Sequence, residues 1–220
     1  MRQANHEVHR NMPTTVNTFN RAKAEFFDRQ ADNEWAAPDY TPEERARIDQ
    51  VLSRLQPLQG RVVLEPGCGT GRLTAILAQE VGPKGQVLAM DISPRMVDAA
   101  RERSAGLSNV QLACAPLEDV PLHRGCVDVA FCHQVFPHFD DKAAALEVMA
   151  NCLRPGGTLV IFHLINIDQI NALHRKAGTA VAEDLMPPRG TMQHLIGRFG
   201  FRLDELDDGP ERYLLLATRA

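Results

Sequence analysis

From Arg61 onward, short apolar runs rich in Val and Leu alternate with stretches whose apolar residues recur every three or four positions. A strand, a helix and a further strand laid beside the first can be joined only by a crossover. The strands are then parallel, and helices cover both faces of one sheet. Residues 62–64, 87–90, 110–113, 127–132 and 158–162 are the buried-strand candidates. Leu73, Ile76, Leu77 and Val81 form a helical stripe that Gly82-Pro83 stops. Ser93-Pro94 opens a second helix, and residues 143–153 form a third, stopped by Arg154-Pro155-Gly156-Gly157. At the end, residues 202–206 and 213–217 are two strands joined by a tight turn at Asp207-Asp208-Gly209-Pro210, which forces an antiparallel pair.

Before residue 60 the character is different: helical patterns occur and no strand pattern does. Phe19, Ala22 and Phe26 share one helical face. A second helix begins at Thr41-Pro42-Glu43-Glu44, where Thr41 caps, Pro42 suits the first helical position and Glu44 completes a capping box. Its stripe is Ile48, Val51, Leu52 and Leu55. The expected organisation is therefore residues 1–60 as an N-terminal helical segment and residues 61–220 as the ligand-binding domain. Phe26, Phe27, Trp35 and Tyr40 give the first segment the aromatic surface of a lid over the crevice, or of a helix packed on the sheet.

A length of 220 residues allows one good-sized core, and 44% apolar with 24% charged residues excludes disordered, collagen-like and coiled-coil classes. Lys+Arg 24 against Asp+Glu 28 leaves a net charge of −4, with no block of basic residues. Nucleic acid and anionic membrane surfaces are not expected partners. No apolar stretch approaches the ~20 residues of a membrane span, and residues 1–19 lack the apolar centre of a signal peptide, so a soluble, cytoplasmic chain is expected. The five cysteines, Cys68, Cys114, Cys126, Cys132 and Cys152, contain no CxxC pair and are read as free thiols.

Leu64-Glu65-Pro66-Gly67-Cys68-Gly69-Thr70-Gly71 lies between a strand and a helix, where glycines let the backbone turn sharply and let a ligand approach main-chain N–H groups. The dinucleotide fingerprint would need glycine at position 72, which is Arg72. Asp91 follows Gly71 by 20 residues at the end of the second strand, where a carboxylate accepts hydrogen bonds from both hydroxyls of a ribose.

VVLEPGCGTG, VLAMDIS and LRPGGTLVIF, in that order, resemble the cofactor-binding motifs of class I S-adenosylmethionine-dependent methyltransferases of the small-molecule type. The resemblance runs from about Arg61 to the C-terminus. It implies a Rossmann-like, mostly parallel seven-stranded α/β sheet with one reversed C-terminal strand, helices on both faces and an N-terminal helical lid. Gly67, Cys68, Gly69 and Gly71 would line the methionine part of S-adenosyl-L-methionine. Glu65 would hold the loop or the amino group, Asp91 the ribose, and Ile92 and Met96 the adenine. Related enzymes commonly carry an Asp that reads the adenine amino group where this chain has Pro116, so that task falls to the Leu117 backbone N–H or to Glu118.

Methyl transfer from a sulfonium is an in-line displacement, for which a protein supplies alignment and exclusion of water. The acceptor belongs at the carboxyl ends of the strands. Cys132, His133 and His138 follow the fourth strand, and His163 ends the fifth. Cys132 and His133 are assigned to the cofactor, and His138 and His163 to catalysis, because imidazole suits proton removal near neutral pH. Asn171 and His174 interrupt the apolar face of the next helix and, with Trp35, are assigned to the acceptor. Metal ligation by His133, His138, His163, His174 and Asp184 is the alternative, although no metal-ligand spacing is present. A non-catalytic cofactor-binding protein and a nicotinamide-dependent oxidoreductase are the competing functional classes. An Asn/Asp-Pro-Pro-aromatic tetrapeptide, expected of nucleic-acid amino methyltransferases, is replaced here by Cys132-His133-Gln134-Val135.

Overall fold

The computed structural model describes residues 21–33, 36 and 38–220. Among these residues a seven-stranded sheet carries seven helices. Two helices come first, α1 (Arg21–Asp28) and α2 (Pro42–Ser53). The alternating region follows as β1 (Val62–Pro66), α3 (Arg72–Val81), β2 (Gln86–Asp91), α4 (Pro94–Arg103), β3 (Val110–Cys114), β4 (Val127–His133), α5 (Lys142–Cys152) and β5 (Leu153–His163). The chain closes with α6 (Ile167–Lys176), α7 (Arg189–Arg198), β6 (Phe201–Gly209) and β7 (Arg212–Arg219). The spatial order is β3-β2-β1-β4-β5-β7-β6. All pairings are parallel except those of β7, which runs antiparallel to both β5 and β6.

Strand alternation sorts the side chains into two cores. Val63, Val87, Ala89, Val129, Phe131, Val160, Phe162 and Leu214 pack with α2, α3 and α4 on one face. Leu64, Leu88, Met90, Ala130, Cys132, Ile161 and Leu215 pack with α5, α6 and α7 on the other. Strands buried on both sides read as continuous apolar runs, the signature of a parallel sheet covered by helices.

Local chemistry sets the helix starts. Thr41 Oγ1 accepts from Glu44 N at 3.2 Å while Thr41 N donates to Glu44 at 2.9 Å, forming the capping box of α2. Ser93 Oγ accepts from Met96 N at 3.1 Å at the start of α4. Two boundaries differ from expectation. Arg154-Pro155-Gly156-Gly157 does not stop the chain but forms the irregular start of β5: Leu153 pairs with Val127, and regular pairing resumes with Thr158 opposite Val129. Likewise β6 runs through Asp207 and Asp208 to Gly209, which pairs with Arg212. Both carboxylates find donors there, Asp207 from Arg212 Nε at 2.7 Å and Asp208 from Ile167 N at 2.9 Å, so the ladder extends through them.

β1 and β4 are adjacent although β1 leads outward to β2 and β3, and β4 leads the other way to β5. Their carboxyl ends therefore splay apart into a crevice at the point where the winding reverses. Among the described residues no helix is long and apolar enough to cross a membrane.

Candidate active site

The crevice is a cavity of about 310 Å³ at the carboxyl ends of β1, β2 and β4, with residues of the N-terminal segment forming part of its wall. Its inner wall is the loop between β1 and α3. Gly67, Gly69 and Gly71 all have positive φ, at 68°, 53° and 79°, but they do different things. A Cβ on Gly67 would lie 2.1 Å from Val135 Cγ2, so its absence lets the loop close against the segment after β4. A Cβ on Gly69 would meet nothing within 4 Å, which leaves backbone facing open space.

Asp91 braces this loop. One of its carboxylate oxygens accepts from Gly69 N at 2.9 Å and the other from Ser93 N at 2.9 Å. Burial raises its pKa against the lowering effect of the Ser93, Gly69 and Ile92 backbone N–H groups. Glu65, at the end of β1, accepts from Thr74 Oγ1 at 2.7 Å. Burial pushes its pKa up to about 8, with a smaller raising contribution from Asp91. Opposite lies His133, stacked on Phe162 at 5.2 Å and touched edge-on by Tyr40 at 5.8 Å. Its Nδ1 faces the Phe162 carbonyl at 3.2 Å, while its buried Nε2 has no hydrogen-bond partner. Burial lowers the pKa of this imidazole to about 3. It is neutral, with Nδ1–H donating to the Phe162 carbonyl and Nε2 buried without a partner.

The outer wall is assembled from distant segments. His138 Nδ1 lies 2.8 Å from Asp184 Oδ2, and Lys23 Nζ from α1 reaches Asp184 Oδ1 at 3.0 Å, Asp140 Oδ1 at 2.6 Å and the His138 carbonyl at 2.8 Å. Phe27 meets the His138 ring edge-on at 5.0 Å, and His174 lies against it at 4.6 Å. Burial lowers the His138 pKa, partly offset by the Asp184 hydrogen bond.

Of the residues assigned from sequence, Glu65, Gly67, Cys68, Gly69, Asp91, Ile92, Met96, Leu117, Glu118, His133 and His138 line this one cavity. The others do not, each for a physical reason. Gly71 begins α3, and a Cβ there would lie 2.9 Å from Ala100 Cα, so this glycine serves the packing of α3 on α4. Cys132 points to the opposite face from His133 and rests 3.5 Å from Met149 Sδ of α5. By the same alternation His163 faces away from the cavity, edge-on to Tyr213 at 6.3 Å, with Nε2 unpartnered. Asn171 is committed to the backbone of Met186, donating at 3.3 Å and accepting at 2.8 Å. His174 is not in the wall; its Nδ1 bonds the Asp184 carbonyl behind His138. Trp35 and Phe19 lie outside the described residues. The alternative of a metal needs ligands to converge, and among the described residues no group of three or more His, Cys, Asp or Glu is placed to hold one.

Sequence reasoning missed several residues of the wall. Lys23 carries no motif. Arg72, whose guanidinium lies 4.2 Å over the Tyr40 ring, entered only as the position that spoils a dinucleotide fingerprint. Gln134, at φ 56°, is a non-glycine residue in the left-handed region at the end of β4, a conformation that concentrates at functional sites and has no sequence signature.

A family model described as a methyltransferase domain matches residues 58–198. O-methyltransferase cnsE of Penicillium expansum is 32% identical over 165 residues, covering 72% of this chain and 58% of that protein. The ubiquinone/menaquinone biosynthesis C-methyltransferase UbiE of Pseudomonas fluorescens is 36% identical over 139 residues, covering 60% of this chain and 52% of that protein. The chain spans between about a third and three fifths of the length of the curated relatives it matches, 32% to 58%. Among solved structures, geranyl diphosphate C-methyltransferase from Streptomyces coelicolor A3(2), crystallised with S-adenosyl-L-homocysteine, superposes with a TM-score of 0.74. It is 13% identical, and the match covers 94% of this chain and 100% of that one, a likeness of fold.

Proposed function

The chain belongs to the methyltransferase-domain family, and on that premise we propose that it transfers a methyl group from S-adenosylmethionine to a small-molecule acceptor. The observation that carries this reading is the pairing of Asp91 with the open backbone at Gly69 in one cavity wall. A carboxylate at the end of β2 stands where a ribose would be read, and the bare loop leaves room for the rest of an adenosyl ligand.

In this reading Glu65, Gly67, Cys68, Gly69 and His133 hold the amino-acid end, and Asp91 holds the ribose. Ile92, Met96, Leu117 and Glu118 hold the base. Bound there, the cofactor supplies an electrophilic methyl carbon on a sulfonium. The protein's own work is to align the acceptor and to keep water out. Lys23, Phe27, Ala36 and Tyr40 close the cavity from the N-terminal side, so that segment serves as its cover. The free thiols of all five cysteines suit a reducing, cytoplasmic setting.

Isothermal calorimetry tests the reading directly. Heat is expected with S-adenosylmethionine and S-adenosylhomocysteine and none with NADH; the reverse pattern rejects it in favour of an oxidoreductase. Mass-spectrometric detection of a methylated product across an acceptor panel separates an enzyme from a non-catalytic binder.

A further inference from the structure

We propose that Arg72 is a carboxylate-binding site in the cavity, with the Tyr40 ring as the platform that positions its guanidinium. This rests on the methyl-transfer reading above and gives a task to a charged group which that reading leaves unused.

Arg72 is the first residue of α3, directly after the glycine loop, and it lines the cavity. Its guanidinium lies 4.2 Å over the centre of the Tyr40 ring, a cation–π contact that restrains the long side chain. Burial holds the Tyr40 phenol well above its ordinary pKa, so the platform is uncharged and does not neutralise the group it supports. Among the described residues Arg72 makes no hydrogen bond and no ion pair, which leaves its N–H donors unspent. The neighbouring cations are all committed. Lys23 Nζ is shared between Asp140, Asp184 and the His138 carbonyl. Lys142 Nζ donates to the carbonyls of Pro137 and Phe139, and Arg103 donates to the Thr70 carbonyl and to Asp39.

The surrounding charge makes such a group selective. Glu65, Asp91, Glu118, Asp119, Asp140 and Asp141 line the same cavity, with Lys23 and Arg72 as its cations. A wall of that sign repels an anion over most of its surface. Arg72 pairs with none of the six, and among the described residues it is the cation of this wall whose charge is not already answered. The positive end of α3 adds to it, because the N-cap Gly71 has no side chain to cap the first turn and no acidic residue stands in that turn. A guanidinium presents parallel N–H groups that match the two oxygens of a carboxylate. A dianion such as a phosphate monoester would meet twice the repulsion with the same single guanidinium to offset it.

Two molecules can bring a carboxylate to this place. One is the amino-acid end of the cofactor. Glu65 and Arg72 stand before and after the same glycine loop, so they would divide the zwitterion between them, ammonium to Glu65 and carboxylate to Arg72. The other is an acceptor that carries a carboxylic acid group.

The test titrates the full chain by calorimetry with S-adenosylhomocysteine and with its decarboxylated analogue, which keeps the nucleoside, the sulfur and the amine. Arg72→Met should lower the ratio of the two affinities by roughly 10- to 100-fold, the scale of a charged hydrogen-bonded pair, by weakening S-adenosylhomocysteine alone. Arg72→Lys should lower the ratio less, because it keeps the charge and loses the fork. Tyr40→Phe should keep the ratio, and Tyr40→Ala should lower it about threefold or more. A merely structural role for either residue would weaken both ligands equally and leave the ratio unchanged. A second arm adds benzoate, or benzamide as its neutral match, to the chain loaded with S-adenosylhomocysteine. Benzoate binding that Arg72→Met removes, beside an unchanged ratio in the first arm, assigns the carboxylate to the acceptor. A ratio indifferent to Arg72→Met, together with benzoate binding that is absent or equally indifferent, would overturn the proposal. The two readings stay apart: no heat from the unaltered chain with S-adenosylhomocysteine sinks the methyl-transfer reading, whereas intact binding with no response to Arg72 in either arm sinks only this assignment.

Discussion

The two walls of the cavity are built on opposite plans. The inner wall comes from short stretches of chain: Glu65 is held by Thr74 nine residues away, and Gly69 by Asp91 twenty-two residues away, at the ends of adjacent parallel strands. Its key groups are backbone N–H and the carboxylates that brace them. The outer wall joins Lys23 to His138 across 115 residues and to Asp184 across 161, and its key groups are side chains meeting side chains. The first plan places the candidate ligand contacts on the turns of a rigid sheet, where they are pre-organised by the fold itself. The second leaves the setting of His138 dependent on three segments arriving together, so that changes in loops can reshape this wall without touching the inner one.

The sharpest way to break this comparison is to remove the inner brace. Asp91→Ala takes away the acceptor of two backbone N–H groups and the candidate ribose acceptor at once. Charged hydrogen bonds contribute about 1.5–3 kcal/mol each, so affinity for S-adenosylhomocysteine should fall by roughly 100-fold or more by calorimetry. A loss under threefold would mean that the inner wall does not hold the adenosyl group. The glycines sharpen the same point at smaller scale. Gly69→Ala puts a methyl group into open space facing the cavity and should reduce affinity by roughly tenfold, with about 1 kcal/mol lost from positive φ. Gly71→Ala instead collides with Ala100 and should lower the melting temperature more than Gly69→Ala does, while affinity falls less. Equal effects on affinity would return Gly71 to the ligand.

The same contrast explains what could be read in advance. The parallel sheet, its reversed strand β7 and the inner wall were legible because each rests on local pattern: apolar runs, glycines with special φ, a carboxylate at a fixed distance from a loop. Strand alternation also decides between neighbours: Cys132 and His163 were assigned from their place at strand ends, but the pleat turns both to the other side. The outer wall was illegible because nothing local marks Lys23, and Asp184 gained meaning only once α6 and the following connection had folded back onto the turn after β4. His138 could be named from its place after a strand, but its partners could not.

Glu65 offers a subtler measurement within the inner wall. Its folded pKa is raised from 4.5 to about 8, so its contribution to stability is present below its unfolded value and is lost as pH rises through about 8. At pH 7 the unliganded carboxyl is mostly protonated. If it receives the ammonium of the cofactor, as the family resemblance implies, the positive charge favours ionisation and binding expels a proton. Affinity should then rise with pH between 6 and 8, and calorimetry in two buffers of different ionisation heat should report release of up to one proton. Glu65→Gln should abolish the release. Binding without proton release would leave Glu65 with the other role, holding the loop through Thr74.

The smallest expected effect is the most diagnostic of which face of a strand belongs to the site. Cys132 and His133 are consecutive, and both sequence position and chemistry make the thiol a reasonable neighbour of a sulfonium. The pleat separates them: His133 lies in the cavity wall beside Tyr40, while Cys132 lies in the opposite core against Met149, with burial raising its thiol pKa far above the ordinary range. Cys132→Ala therefore removes only a packed sulfur, costing about 1 kcal/mol and a melting-temperature drop of roughly 2–4 °C. Affinity for S-adenosylhomocysteine should stay within about twofold, because the rigid β-strand isolates one face from the other. A tenfold loss of affinity with little change in melting would place the sulfur at the ligand, and the division of the molecule into a ligand face and a packing face at β4 would have to be redrawn.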